Sequence, residues 1–148
     1  MKHMGSRADF YIGKEPKVEN WLGSIAWDGY PDGIPKSILK ADFKGDYKMA
    51  VLEFLRGRED ATFPKDGWPW PWNDSNTTDY AYTFTLRDKV RASNFGSPWY
   101  DPNKPPKDIE NLRGKAPVFP DMKDIKNVNF GDSPGSSSAR SSEVKQWS

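Results

Sequence analysis

The sequence predicts an α+β domain, a small and mainly antiparallel sheet with one main helix packed on it. Three patterns carry that expectation. Asp79 to Leu86 alternates cleanly, with Tyr80, Tyr82, Phe84 and Leu86 facing one way and Ala81, Thr83 and Thr85 the other, as a half-buried strand requires. Phe43, Tyr47, Ala50, Val51, Phe54 and Leu55 recur at the spacing of one stripe of a 3.6-residue helix. Two shorter apolar and aromatic runs, Asp9 to Gly13 and Trp21 to Trp27, precede that helix and read as strands joined by a turn or loop.

In the second run Trp21, Gly23, Ile25 and Trp27 share one face of a regular strand, and Leu22, Ser24 and Ala26 share the other. Neither face is strongly polar, so this strand is expected to be central in the sheet or covered on both sides. Asp28-Gly29-Tyr30-Pro31-Asp32-Gly33 follows with two Asp-Gly pairs and a proline, which is dense turn chemistry. Pro35 to Ala41 suits a helical turn or more, with proline in the first turn. Asp42 or Asp46 is the expected N-cap of the main helix, and Gly57 between Arg56 and Arg58 its stop. After the alternating strand, Arg87-Asp88-Lys89 makes a tight charged turn and Val90 to Phe95 returns as its hairpin partner.

Between helix and hairpin lies Gly67-Trp68-Pro69-Trp70-Pro71-Trp72-Asn73-Asp74, the densest part of a chain that carries seven tryptophans in 148 residues. Prolines at alternate positions fix φ and push each preceding tryptophan toward extended angles, so a helix is excluded. Two readings follow. The favoured one is a hydrophobic latch, with one or two rings packed back onto the sheet and helix, because large aromatics are mostly buried. The other is an exposed aromatic patch that grips a partner.

The domain is expected over residues 7–100, since nearly all aromatic residues precede residue 101. Residues 101–130, with prolines at 102, 105, 106, 117 and 120, read as an extended segment packing on it, with Val118 and Phe119 as docking residues. Residues 131–148 are rich in serine and glycine and read as a disordered tail. Residues 1–6 are set aside as of doubtful origin.

The chain carries 22 basic and 21 acidic residues, and either side of residue 100 is within one charge of neutrality. A general pull on nucleic-acid phosphates is not expected. The absence of cysteine removes disulfides, thiolate metal sites and cysteine nucleophiles, and fits a reducing compartment. No signal peptide or membrane-spanning run is visible, so a cytoplasmic protein without membrane association is expected.

Candidate chemistry is sparse. The only histidine is His3, which excludes a histidine-based triad and a multi-histidine zinc site. The glycines fit no Rossmann or P-loop pattern. No catalytic residue, metal or cofactor is therefore assigned. Asp28 and Asp32 flank a turn, and Asp74 and Asp79 border the tryptophan run. A carboxylate pair beside an aromatic platform would suit glycoside chemistry, although such aspartates more often cap and bend backbone. Arg87, Lys89 and Arg91 cluster at a hairpin carrying Tyr82, Phe84 and Phe95, which offers single-stranded nucleic-acid binding as an alternative to a solvated turn over a packed core.

Several of these segments occur together in one known group. Arg7 to Tyr11, Trp21 to Pro31, Gly67 to Trp72 leading into Thr77 to Tyr82, and Phe119 to Met122 resemble a family of small uncharacterised proteins encoded by temperate bacteriophages and prophages. The resemblance spans roughly residues 7 to 125. It implies a phage setting within a bacterial host cell, and it supplies no activity and no catalytic residues. Together with the composition, it points to an accessory protein that binds rather than catalyses. The expected binding surface is Trp68, Trp70, Trp72, Asn73, Asp74, Trp99 and Tyr100, with a host or phage protein as partner. A carbohydrate is the alternative ligand, because tryptophan faces stack on sugar rings and Asn73 and Asp74 can bond hydroxyls.

Overall fold

The computed structural model describes residues 5–13, 18–115 and 119–123; the expected docking role of Val118 and the expected tail lie outside them. Four strands form one sheet: β1 (Ala8–Tyr11), β2 (Trp21–Ile25), β3 (Tyr80–Thr85) and β4 (Lys89–Asn94). Their order is β2-β1-β3-β4, so β2 is an edge strand and not a central one, although every one of its residues is buried. β1 pairs antiparallel with β2, β3 antiparallel with β4, and β1 and β3 meet in parallel at the centre. The short helix α1 (Lys36–Leu39) and the main helix α2 (Lys44–Arg56) lie between β2 and β3 in the chain. The architecture is α+β, as the sequence predicts.

One face of the sheet carries the larger core. Ala8, Phe10 and Ile12, Tyr82 and Phe84, and Val90 and Ala92 pack there against Ile38, Tyr47, Val51 and Leu55 of the helices. Phe10 stacks on Tyr82 at 5.5 Å between centroids, and Tyr47 stacks on Phe84 at 5.4 Å. Leu55 is fully buried, so Leu55→Ala is expected to cost about 2–5 kcal/mol in chemical denaturation. Phe54 is only half buried and meets Phe10 edge-on at 6.2 Å.

Three local expectations change. A bulge between Phe10 and Tyr11 pairs Phe10 with Gly23 but Tyr11 with Trp21, which leaves Leu22 as the extra residue. Trp21 therefore shares a face with Ser24, while Leu22 and Ile25 join the helix-side core. The α2 stripe begins at Tyr47. Phe43 is the N-cap position, in extended backbone and 68% exposed, and neither Asp42 nor Asp46 caps the helix. Leu86 falls in the hairpin turn and is 76% exposed, because β3 ends at Thr85.

The Tyr47 hydroxyl is the exception within this core. It is fully buried and finds no hydrogen-bond partner among the described residues. An unpaired buried hydroxyl costs roughly 1–3 kcal/mol, so Tyr47→Phe is expected to leave stability unchanged or raise it by up to about 2 kcal/mol. A loss of more than 1 kcal/mol on denaturant titration would show that the hydroxyl is bonded in solution.

The opposite face of the sheet is also covered. Tyr11, Trp21 and Ala81 form a second cluster with Phe119 and Met122, joined by the half-buried Trp68 and Trp99. Trp99 meets Phe119 edge-on at 5.8 Å, and the Met122 amide donates to the Asn73 carbonyl at 2.6 Å. Among the described residues, no helix is long and apolar enough to cross a membrane.

Candidate functional site

The bulge decides what the second face can hold. Pairing Asp9 with Ser24 places both side chains over the sheet, with the small Ala81 as Asp9's neighbour on β3. Asp9 is fully buried there. A buried carboxylate needs partners, and this one is surrounded by donors. The Ser24 hydroxyl donates to Oδ1 at 2.6 Å, the Trp70 indole N–H to Oδ1 at 2.7 Å, and the Ser75 hydroxyl to Oδ2 at 2.7 Å. The Thr78 hydroxyl bonds it as well.

Each hydroxyl is backed by a further donor. Trp21 Nε1 donates to Ser24 at 3.1 Å and Trp72 Nε1 to Thr78 at 2.9 Å. Tyr11 lies 2.7 Å from Ser75, whose single proton points to Asp9, so the phenol is the donor in that pair. Burial pushes the Asp9 carboxyl above its ordinary value, and the bonds from Ser24, Trp70, Ser75 and Thr78 oppose the rise without cancelling it.

This network fixes the tryptophan run. Trp68 Nε1 donates to the Trp72 carbonyl at 2.6 Å and its ring meets Trp21 edge-on at 5.3 Å. Trp70 and Trp72 stack at 5.7 Å, and the Arg7 guanidinium lies 5.6 and 5.5 Å from their ring centroids. All three indole N–H groups of the run are thus spent inside the protein, and all three rings are half buried. Asn73 is exposed and lends its carbonyl to Met122, while Asp74 caps the turn Ser75–Thr77 by accepting from Asn76 N at 2.9 Å. Asp79 accepts from Arg7 N at 2.7 Å. These two carboxylates hold backbone, which is the non-catalytic role the sequence offered for them.

Asp60 is a contrasting carboxylate. Its side chain is 2% exposed, and it accepts from the amides of Ala26 and Trp27 and from Arg58 Nε at 2.7 Å. Burial would raise it, but Arg58 and the two amides outweigh burial and hold its carboxyl below the usual range. The two groups therefore link stability to pH with opposite signs. Asp9, with a raised folded value, contributes stability that is present below the ordinary aspartate value of about 4 and is lost as pH rises through the folded value. Asp60 contributes stability that is present above that ordinary value and is lost as pH falls through its depressed folded value. Asp9→Asn is expected to flatten the decline on the alkaline side of about pH 4, and Asp60→Asn the decline on the acid side, in denaturation series across pH.

A different part of the surface leaves several polar groups without a partner among the described residues. α1 is a single turn and leaves one corner of the helix-side face uncovered. Tyr80 and Asn94 are paired there across β3 and β4, and Tyr100 bridges the outer edge of β4 through mutual 2.8 Å bonds with Ala92. With Tyr30, Pro31, Asp32, Lys36, Lys40, Pro102 and Pro105 they line a cleft of about 550 Å³. A second hollow of about 350 Å³ shares Leu39, Lys40 and Asn103 with it and continues along β4 past Val90. The two form a groove along the sheet edge. Burial raises the phenols of Tyr80 and Tyr100, which stay protonated, and neither hydroxyl has a partner among the described residues.

Of the expected binding residues, the structure brings Trp68, Trp70, Trp72 and Asp74 together as parts of one internal network, sets Trp99 against Phe119, and puts only Tyr100 in the groove. Asp9, Tyr30 and Tyr80 are not among the residues the sequence singles out as a site, and Asp32 is singled out only as a turn carboxylate paired with Asp28. The signal for Asp9 was a charged residue inside an apolar strand; for the groove it was the Tyr-Pro-Asp turn and the later prolines.

Lys89 and Arg91 of the hairpin line the second hollow, and Arg87 and Arg91 line a further hollow of about 560 Å³ with Trp99. Lys89 donates to the Asp42 carbonyl at 2.8 Å, Arg91 lies 3.8 Å from Asp101, and Arg87 is exposed beside Asp88. Tyr82 and Phe84 are buried, which leaves them no face for a base. Among the described residues, no cluster of three or more carboxylates or histidines is placed to hold a metal. No protein-family model, curated protein or solved structure matches the chain.

Proposed function

We propose that the chain is a non-catalytic protein-binding module, serving a temperate phage or prophage, and that it takes its partner in the groove along β4. The observation that carries this reading is the contrast between the two aromatic surfaces. At the tryptophan run every indole donor is committed internally, whereas in the groove two phenol hydroxyls, the Asp32 carboxylate and the Lys36 and Lys40 amines have no partner among the described residues. Aromatic walls with a few convergent free polar groups, in a hollow of several hundred Å³, are what a binding site needs. The carboxylates next to the tryptophans are occupied by backbone, which argues against hydrolysis there. The phage setting rests on the sequence resemblance.

The test is affinity capture from bacterial lysate, with and without phage infection, using wild type and a Tyr80→Phe, Tyr100→Phe, Asp32→Asn triple variant. A protein retained by wild type and lost by the folded variant is the expected outcome. Retention by both would remove the groove from the account.

A further inference from the structure

We infer that the groove binds an extended, proline-containing peptide segment carrying a basic residue, an inference that rests on the reading of the chain as a protein-binding module. Shape comes first. The two hollows share Leu39, Lys40 and Asn103 and run along β4, so the site is elongated and suits an extended chain better than a compact ring.

The walls come next. Tyr30, Tyr80 and Tyr100, with Pro31, Pro102 and Pro105, supply flat, rigid surfaces of the kind on which prolyl rings pack. A polyproline II ligand has no internal hydrogen bonds, so its carbonyls are free to accept, and it loses little entropy on binding.

Donor accounting separates this ligand from a saccharide. Sugar hydroxyls both donate and accept, and are read best by several free amides, which do the same, set beside an accepting carboxylate. The amides here are largely committed: Asn94 Nδ2 donates to the Asp79 carbonyl at 2.8 Å and its Oδ1 accepts from Arg113 at 2.7 Å, while Asn103 Nδ2 donates to Leu39 O at 3.2 Å and to Asp101 Oδ1 at 3.3 Å. The phenols of Tyr80 and Tyr100 remain, single donors suited to isolated carbonyls. Asp32 is exposed at the rim and without a partner among the described residues, which sets a place for an arginine or lysine of the ligand. Lys36 and Lys40, one helical turn apart, favour an acidic residue at their side of the groove.

The probes are fluorescein-labelled twelve-residue peptides with a Pro-x-x-Pro core, flanked by Arg at one end and Glu at the other in both orders, and matched peptides with Ala for Pro. Binding is followed by fluorescence anisotropy and by amide shifts of nitrogen-15-labelled full-length protein. One orientation of the proline peptide is expected to bind, with shifts at Tyr30, Tyr80 and Tyr100. Tyr80→Phe and Tyr100→Phe should each weaken it about fivefold, the value of one hydrogen bond. Asp32→Asn, at an exposed position, should weaken it about threefold and leave an Arg-free peptide unaffected.

Equal binding of the alanine peptides, or wild-type affinity in all three variants, overturns the inference. So does the absence of binding at millimolar peptide. If a lysate partner is still captured through Tyr80 and Tyr100 in that last case, the module reading stands and only the ligand class fails. If a neutral oligosaccharide shifts those resonances instead, both fail.

Discussion

Asp9→Ala is expected to destabilise the protein by about 4 kcal/mol or more, the largest loss of any single side chain outside the apolar core. The carboxylate is fully buried and takes bonds from Ser24, Trp70, Ser75 and Thr78, each of which would lose an acceptor. Ser24 and Ser75 are themselves buried and cannot turn to water, so their loss is close to a full desolvation penalty. Asp9→Asn separates charge from bonding. It keeps one acceptor oxygen, removes a charge whose burial is unfavourable, and lets the serine hydroxyls rotate to accept from the new amide. A loss well under half that of alanine is therefore expected, measured by urea denaturation at neutral pH. Equal losses from the two variants would show that the negative charge itself holds the network.

Gly23→Ala should cost roughly 2–5 kcal/mol, combining backbone strain with overpacking. Gly23 sits at φ +149° beside the bulge, a conformation that side chains rarely adopt. An added Cβ would lie 2.6 Å from Leu55 Cδ1 and 2.8 Å from the Thr62 carbonyl. Leu55 belongs to the packed core, and Thr62 is fixed by two backbone bonds to Ser24, at 2.9 and 2.8 Å, so neither neighbour can withdraw cheaply. The same Ser24 serves Asp9, so the strain should reach the carboxylate network. Gly45, which has open space around its Cβ direction, is the control: Gly45→Ala should stabilise α2 by a few tenths to about 1 kcal/mol.

The periodic parts of the fold were legible because each periodic set packs against one neighbour, the large side chains of β3 against the helices and those of α2 against the sheet, even though Ala81 and Thr83 are buried on the other face of β3. Tyr82 and Phe84 of β3 and Tyr47, Val51 and Leu55 of α2 are buried as their spacing selects, with Tyr80, Ala50 and Phe54 partly buried beside them. The bulge at Leu22 was not legible, because one inserted residue reverses the faces of Trp21 and Ser24 without changing composition. Nor could spacing show that α1 stops after four residues, which is what opens the groove. The tryptophan run was recognised as the join between the halves of the core, and the latch was the favoured reading. Its anchor is not legible, because the serines, threonine and aspartate that hold it come from three separate segments, β1, β2 and the turn Ser75–Thr77 with its C-cap Thr78, brought together by the sheet.

The central claim is that the tryptophan run is held from within by Asp9 and its neighbours, which leaves recognition to the groove along β4. Hydrogen exchange at the indole N–H groups of nitrogen-15-labelled protein tests it most directly. The account predicts that Trp68, Trp70 and Trp72 exchange far more slowly than free indole, and that Asp9→Asn selectively weakens the protection of Trp70. Exchange of all three at the free-indole rate would contradict it and return these rings to the surface available for a partner.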